Sequence, residues 1–354
     1  MQSVRDLLQR LANFDAGNSF VLSVYLDMRP HTTGENPAVR DSLIFLKDRL
    51  REIEKTLLPR GPALDDFRLD TARVQHFLDE HAEPWLQGLA IFACNSHQLF
   101  ETIETGVPFD NQVALEPLPD LFQLARLIDE QETTVIAVVD TNTARLFVTR
   151  RGFLEEVGGP DDDPFGYGKR KAGSINQKRY QRRADNRRQE FAREAAQAID
   201  ELVKHEGAQH IILAGDAVAI PLLHRALPAH LEPLVHEEIL RLDIRTPRHT
   251  VHGEVEPIIV KIEEDESHAL ADRLVEAVRE QGLGVIGFKE THNALNNGQA
   301  EVVILDEDTP LDDTERSDLV RLATLSKATV DMVRGHETLR EMGGVGALLR
   351  YKIA

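Results

Sequence analysis

The stretch Gly166-Tyr-Gly-Lys-Arg-Lys-Ala-Gly-Ser-Ile-Asn-Gln-Lys-Arg-Tyr-Gln-Arg-Arg-Ala-Asp-Asn-Arg-Arg-Gln-Glu-Phe191 sets the reading of the whole chain. Between Lys169 and Arg188 it holds nine cations and one anion, Asp185. Residues 169–188 carry +8 in a chain of formal net charge −19, so the remainder carries −27. An acidic body repels polyanions, and a cationic island whose start is marked by Gly166, Gly168 and Gly173 reads as a local phosphate-binding device for nucleic acid. Its second half is helical by pattern: Tyr180, Phe191, Ala195 and Ile199 fall near one face and Arg179, Arg182, Arg183 and Arg187 on another. Arginine forks suit phosphate oxygens better than lysine does. The competing reading is a solvated basic helix paired with the protein's own acidic surface.

Outward from this stretch, 354 residues suffice for two or three domains with their own cores. The hydrophobic fraction of 42% and charged fraction of 29% are those of an ordinary globular protein. Cys94 is the one cysteine, so no internal disulfide forms and a cytosolic location is expected. Residues 1–10 lack the apolar centre and cleavage site of a secretion signal, and no run reaches membrane-spanning length.

The segment before residue 130 reads as a mixed-sheet α/β domain. Helices are predicted at 3–12, Pro37 to Leu58, Asp65 to Glu80 and Asp120 to Glu130, and strands at Ser19 to Met28, Gly88 to Cys94 and Gln98 to Thr105. A second domain, 131–264, opens with a strand at Val135 to Asp140 and its hairpin partner Ala144 to Thr149. The acidic loop Gly158 to Asp163, the basic loop and helix, a strand at Ile211 to Ala214, a helix at Ile220 to Ala226 and a strand near Pro257 to Lys261 complete it. This order predicts a mixed sheet with helices on its faces, as in the RNase H-like class. Residues 265–354 alternate helices and strands, which predicts a three-layer α/β/α sandwich.

Three separate segments resemble one family. Gly173-Ser174-Ile175-Asn176-Gln177-Lys178-Arg179-Tyr180, with the arginine-rich helix after it, resembles the middle-domain loop of archaeal and eukaryotic class-1 peptide chain release factors and their bacterial hydrolase relatives, where a Gly-Gly pair precedes a Gln and an Arg-aromatic pair. The passage from Ala294 to Val302 resembles the first helix-to-strand passage of those factors' third domain, and Glu337 to Tyr351 its ending. The resemblance implies a three-domain protein of the release factor and Pelota group that enters the ribosomal A site, its last domain resembling kink-turn-binding ribosomal proteins. It also implies rRNA and P-site tRNA as partners, a translational GTPase as a further one, and no cofactor, DNA or membrane. On this reading Lys169, Arg170, Lys171, Gly173, Ser174, Lys178, Arg179, Arg182, Arg183, Arg187 and Arg188 face rRNA or tRNA.

The chain departs from the release motif. That motif uses two glycines so that backbone approaches the ester linking peptide to tRNA, and a Gln whose amide places a water. Here Ser174 replaces the second glycine and Ile175 stands at the Gln position; only a shifted register offers Gln177. Gln177 is therefore the candidate catalytic residue of a peptidyl-tRNA ester hydrolase, or a surface glutamine at a helix start. Codon-reading motifs are missing from the first domain. Three functions follow: a rescue or hydrolase factor, a non-catalytic hibernation factor of the Balon type, and an RNA-processing nuclease.

Other motifs read as structural. Gly282, Gly284 and Gly287 match the letters of a dinucleotide fingerprint but follow a helix instead of a strand. Gly343, Gly344 and Gly346 suit a tight turn and close packing, and His249 and His252 read as exposed loop histidines, so no metal site is expected. Asp140 and Asp216, at strand ends, are candidates for nuclease carboxylates, but turn formation and helix capping explain them more simply.

Overall fold

The computed structural model describes residues 4–29, 41–57, 61–81, 85–130, 132–157 and 177–352, with side chains of the last span described from residue 186. The chain forms two compact units, one from residues 1–130 together with 263–354, the other from 131–262. Three four-stranded sheets organise it.

In the second unit, β5 (Thr134–Val139), β6 (Ala144–Arg150), β7 (Phe153–Glu156) and β8 (His210–Gly215) lie in the order β7-β6-β5-β8. β5 pairs antiparallel with β6 and parallel with β8, and β6 pairs antiparallel with β7. Strand β5 is buried along its whole length because both sheet faces are covered, which is why it reads as an unbroken apolar run. Val135, Ala137 and Val139 pack with Ala195, Ala196 and Ile199 of α5 (Gln177–Glu206) and with Ile220 and Leu223 of α6 (Ala219–Ala226). Ile136 and Val138 face the other way, onto Val251, Val255, Ile258 and Ile262 of α7 (Arg248–Arg279). This is the mixed sheet with helices on its faces that the element order implies.

The strand expected at Pro257 to Lys261 is instead the middle of α7. Ile258-Ile259-Val260 has strand-like composition, but Val251, Val255, Ile258 and Ile262 recur at spacings of four, three and four, and all four are buried. A proline inside a helix costs about 3 kcal/mol. Burying four such side chains returns roughly 1.5–3 kcal/mol each, so the helix wins. His249 and His252 accordingly sit in the first turns of α7, not in a loop. His252 Nε2 lies 3.2 Å from the Gly152 carbonyl and Nδ1 3.7 Å from Glu256.

The first unit holds two sheets. The N-terminal one has the order β3-β2-β1-β4, from β1 (Val21–Asp27), β2 (Gly88–Cys94), β3 (Leu99–Thr105) and β4 (Gln112–Glu116). All its pairings are antiparallel, not mixed as expected, because β2 and β3 form a hairpin and β1 runs against both its neighbours. Helices α1 (Val4–Ala12), α2 (Asp41–Thr56), α3 (Pro62–His81) and α4 (Phe122–Glu130) accompany it. On α2, Leu46, Leu50 and Ile53 are buried, as the periodicity predicts, against Phe67 and Val74 of α3 and Leu22, Val24 and Leu26 of β1.

The C-terminal sheet has the order β11-β10-β12-β9, from β9 (Gly284–Ile286), β10 (Ala300–Asp306), β11 (Thr329–Val333) and β12 (Val345–Leu349). One face packs on α8 (Phe288–Asn296) and α9 (Asp313–Ser326), the other on Ala271 and Leu274 of α7 and on Leu339 of α10 (Glu337–Glu341). This is the three-layer sandwich. Its α8/α9 side shares a core with the N-terminal segment, where Leu7, Leu11, Leu121 and Leu124 join Leu295, Leu319 and Val320. The Arg321 guanidinium donates to the Ala12 carbonyl at 3.0 Å, and the Met332 amide donates to Asp129 at 2.6 Å.

Asp120 sits at this shared core. Its Oδ1 accepts from the Phe122 amide at 3.1 Å and its Oδ2 from Gln112 Nε2 at 3.0 Å. Burial first, then the Asp313 and Glu116 charges, push its pKa up to about 6 against the opposing Phe122 hydrogen bond and the Arg316 charge. A folded-state pKa above the unfolded value means the native form binds the extra proton, so this group's contribution to stability rises as pH falls from about 7 towards 4. Asp120→Asn should therefore raise the urea midpoint most at pH 7.5, by an amount worth about 2–3 kcal/mol, with the gain shrinking as pH falls through 6. Separately, Gly215 at the end of β8 has φ +140°, and a Cβ there would collide with the Val139 carbonyl oxygen. Gly215→Ala should cost about 3 kcal/mol or more in urea unfolding.

Candidate nucleic-acid interface

Helix α5 runs back along the sheet of the second unit. At its far end the Gln209 amide donates to the Thr133 carbonyl at 3.0 Å, beside the start of β5. At its near end Arg188, Phe191, Ala192 and Ala195 line a small slot with Val139, Asp140 and Thr141, at the carboxyl end of β5. The start of α5 therefore extends past the carboxyl edge of β5 and β8. Among the described side chains Ala192 is the first buried one on this helix. Phe191 packs half-buried against the same core, and Ala195 and Ile199 are buried, as their spacing predicts. Gln177 to Arg188 spans about 17 Å of helix axis at 1.5 Å per residue.

That projecting half is the cationic half. Gln177, Lys178, Arg179, Arg182 and Arg183 lie on its backbone, with side chains outside the described set. Arg187 is exposed and Arg188 is half-buried at the slot. Lys169, Arg170, Lys171, Gly173 and Ser174, like the acidic loop 158–163, lie outside the described residues. Gln177 is the first residue of the helix, so its first-turn amides have no intrahelical acceptor and add partial positive charge to the arginines. Arg193, exposed and two residues beyond the stretch that the composition marks out, extends the cationic run.

Three other cations of this unit are paired internally. Buried Arg145 grips Glu156 through Nε and Nη2, at 2.6 and 2.8 Å, and donates to the Ile244 and Thr246 carbonyls. Hydrogen bonding to Glu156 holds its pKa above the ordinary arginine value despite burial. Arg150 bridges Glu155 and Glu206, and Lys204 pairs with Asp200 at 2.6 Å. Arg187, by contrast, enters no ion pair among the described residues.

The carboxylates that resemble nuclease ligands are committed to the backbone. Asp140 Oδ1 accepts from the Asn142 and Thr143 amides at 2.7 and 2.6 Å, closing the β5–β6 turn. Asp216 Oδ1 accepts from the Val218 and Ala219 amides at 2.6 and 2.8 Å, starting α6. Neither joins a converging group of three metal-ligand side chains among the described residues. Of the glycine motifs, Gly284 lies within β9 and Gly287 at the start of α8, so the dinucleotide letters fall on a strand edge. A Cβ on Gly344 would sit 2.8 Å from Thr309 Oγ1, and one on Gly346 2.6 Å from Leu274 Cδ2. These glycines serve close packing.

The class defined so far is an α/β protein in which the mixed sheet of the second unit carries a cationic helix extending past its edge. Residues 119–260, nearly the whole sheet unit with this helix, match the family described as Bacterial archaeo-eukaryotic release factor family 10. The Protein pelota homolog of Pyrococcus furiosus is 28% identical over 192 residues, 51% of this chain and 54% of that protein. Its counterpart in Pyrococcus abyssi is 25% identical over 191 residues, with the same coverage. The chain thus spans about half the length of the curated relatives it matches. Among solved structures, a model of ribosome-bound archaeal Pelota and ABCE1 aligns over 99% of this chain and 95% of that one, at 15% identity and a TM-score of 0.44. Over these residues the chain is similar to members of the release factor and Pelota superfamily. No described helix is long and apolar enough to cross a membrane.

Because Asp216 only caps α6, Asp216→Ala should lower stability by about 1 kcal/mol. Neither it nor Asp140→Asn should alter any Mg²⁺-dependent RNA cleavage measured on a labelled transcript. Metal-dependent cleavage abolished by Asp140→Asn would return these carboxylates to catalysis.

Proposed function

We propose that this protein is a ribosome-associated rescue factor that occupies the A site and directs loop-helix 166–191 at the peptidyl transferase centre. The observation that carries the reading is the +8 segment, whose second half is a helix projecting from the carboxyl edge of the central sheet. A dense polyanion such as rRNA is the target such charge selects, and phosphate contacts supply affinity without sequence choice. The match to Pelota homologues supports rescue as the setting. A translational GTPase is the delivering partner on this reading.

In the hydrolytic form of the proposal Gln177 orients the attacking water. Water oxygen bonds to the ester carbonyl carbon, the carbon–oxygen bond to the terminal ribose breaks, and the tRNA hydroxyl leaves with a proton. The cations around Gln177 hold the tRNA end and stabilise the anionic tetrahedral intermediate. In the non-catalytic form the same segment blocks the A site.

Co-sedimentation with ribosomes tests the shared part. Arg182→Glu with Arg183→Glu should weaken binding at least about tenfold and flatten the log–log salt dependence by roughly two contacts. Unchanged pelleting would refute the interface. Peptide release from stalled complexes separates the two forms: loss of release on Gln177→Ala supports hydrolysis, and no release by the parent protein leaves A-site occupancy as the activity.

A further inference from the structure

Past the arginine-dense turns, the solvent side of α5 divides into two rows of different chemistry. Asn186, Gln189 and Arg193 recur at spacings of three and four, so they lie one above another on the helix surface, and all three are exposed. None of these three side chains has a hydrogen-bond or ion-pair partner among the described residues. Beside them, Arg187, Glu190 and Glu194 form a second row at the same spacings. The first row holds two amides and one cation; the second holds one cation and two carboxylates. A polyanion lying along this part of α5 is therefore drawn to the first row and repelled by the second. The remaining side of the helix is closed, with Ala192, Ala195 and Ile199 buried.

The first row is continuous with the cationic half and has a definite end. Arg182 precedes Asn186 by four residues on the same helix. Four residues after Arg193, Gln197 Nε2 donates to Glu201 at 3.0 Å, and Asp200 is held by Lys204 and His230 at 2.6 and 2.8 Å. From Asn186 to Arg193 the row covers about 10 Å of helix axis at 1.5 Å per residue. Its chemistry differs from that of the cationic turns. Cations meet the phosphates of RNA and DNA alike. A carboxamide offers N–H donors and a carbonyl acceptor, and so matches the ribose 2′-hydroxyl, which is itself both donor and acceptor. An A-form duplex displays these hydroxyls along a wide, shallow minor groove open to a helix surface.

We propose that the row Asn186, Gln189 and Arg193 is a separate RNA contact that takes the ribose edge of a double-stranded segment, Asn186 and Gln189 pairing with 2′-hydroxyls and Arg193 with an adjacent phosphate. It rests on the A-site reading for its setting and adds to it a site that tells RNA from DNA. The cationic turns supply strength without choice of sugar, and the amide row supplies the choice. Glu190 and Glu194 keep the strand to one flank of the helix.

The test is fluorescence anisotropy of the full chain with a labelled RNA duplex of roughly 16 base pairs and a DNA duplex of the same sequence, over a series of salt concentrations. The parent protein should prefer the RNA duplex. Asn186→Ala with Gln189→Ala should weaken RNA binding about tenfold and abolish the preference over DNA, while the log–log salt slope stays as it was, because an amide releases no counterion. Arg193→Ala should instead flatten that slope by about one contact. Alanine at these exposed helical positions preserves the fold, which the thermal midpoint checks. No binding of the RNA duplex by the parent, or equal binding by the parent and the double amide variant, overturns the proposal. Weaker ribosome pelleting by the double variant with unchanged duplex binding also overturns it, and assigns the row to a ribosomal protein. The A-site reading fails separately, on parent protein that does not pellet with ribosomes or on pelleting that survives the Arg182 and Arg183 reversals.

Discussion

Packing of α5 against β5 and β8 is the constraint from which the functional reading follows. Ala195, Ala196, Ile199, Leu202 and Val203 lie in one apolar core with Val135, Val139, Ile211 and Leu213, and Ala192 before them is buried too. Six buried side chains, even with three of them alanine, anchor this half of the helix by several kcal/mol. The preceding turns can therefore carry a charge density that no packed helix would tolerate. The six cations in residues 177–188 repel one another, and only a helix fixed at its other end holds them along a defined axis.

Charge is segregated at two scales. Locally, the second unit neutralises three cations outside the segment: Arg145 with Glu156, Arg150 with Glu155 and Glu206, Lys204 with Asp200. Over the chain, the remaining residues sum to −27. At physiological salt the screening length is about 8 Å, and the projecting part of α5 is about twice that. Scattered carboxylates thus act weakly on its tip, whereas closely spaced phosphates with condensed counterions act strongly. Against that acidic background, attraction for polyanions is concentrated in one place.

Much of this was legible in the residues, for physical reasons that differ by element. Strands buried on both faces, such as β2 and β5, announce themselves as apolar runs, and their limits agree with the structure to within a residue. Edge strands do not: β4 buries only Val113 and β7 only Leu154, so neither shows a run or an alternation. Helix α7 was obscured by local composition, since Pro257 and three β-branched residues outweigh a helical spacing visible only over a longer window. The shared core of residues 1–130 and 263–354 was not legible, because nothing in either segment names its distant partner. At the site, charge and glycine spacing picked out the segment, and carboxylate roles at Asp140 and Asp216 followed from their positions at strand ends. The direction of the helix and the exposure of Arg193 beside it needed coordinates.

The central claim is that the segment containing Ser174 touches large-subunit rRNA. Directed hydroxyl-radical probing tests it most directly, from an iron chelate attached at Ser174→Cys in a chain whose native thiol is removed by Cys94→Ala, bound to ribosomes. The account predicts strand cleavage clustered at the peptidyl transferase centre. Cleavage confined to distant rRNA, or none from a protein that still sediments with ribosomes, would contradict it.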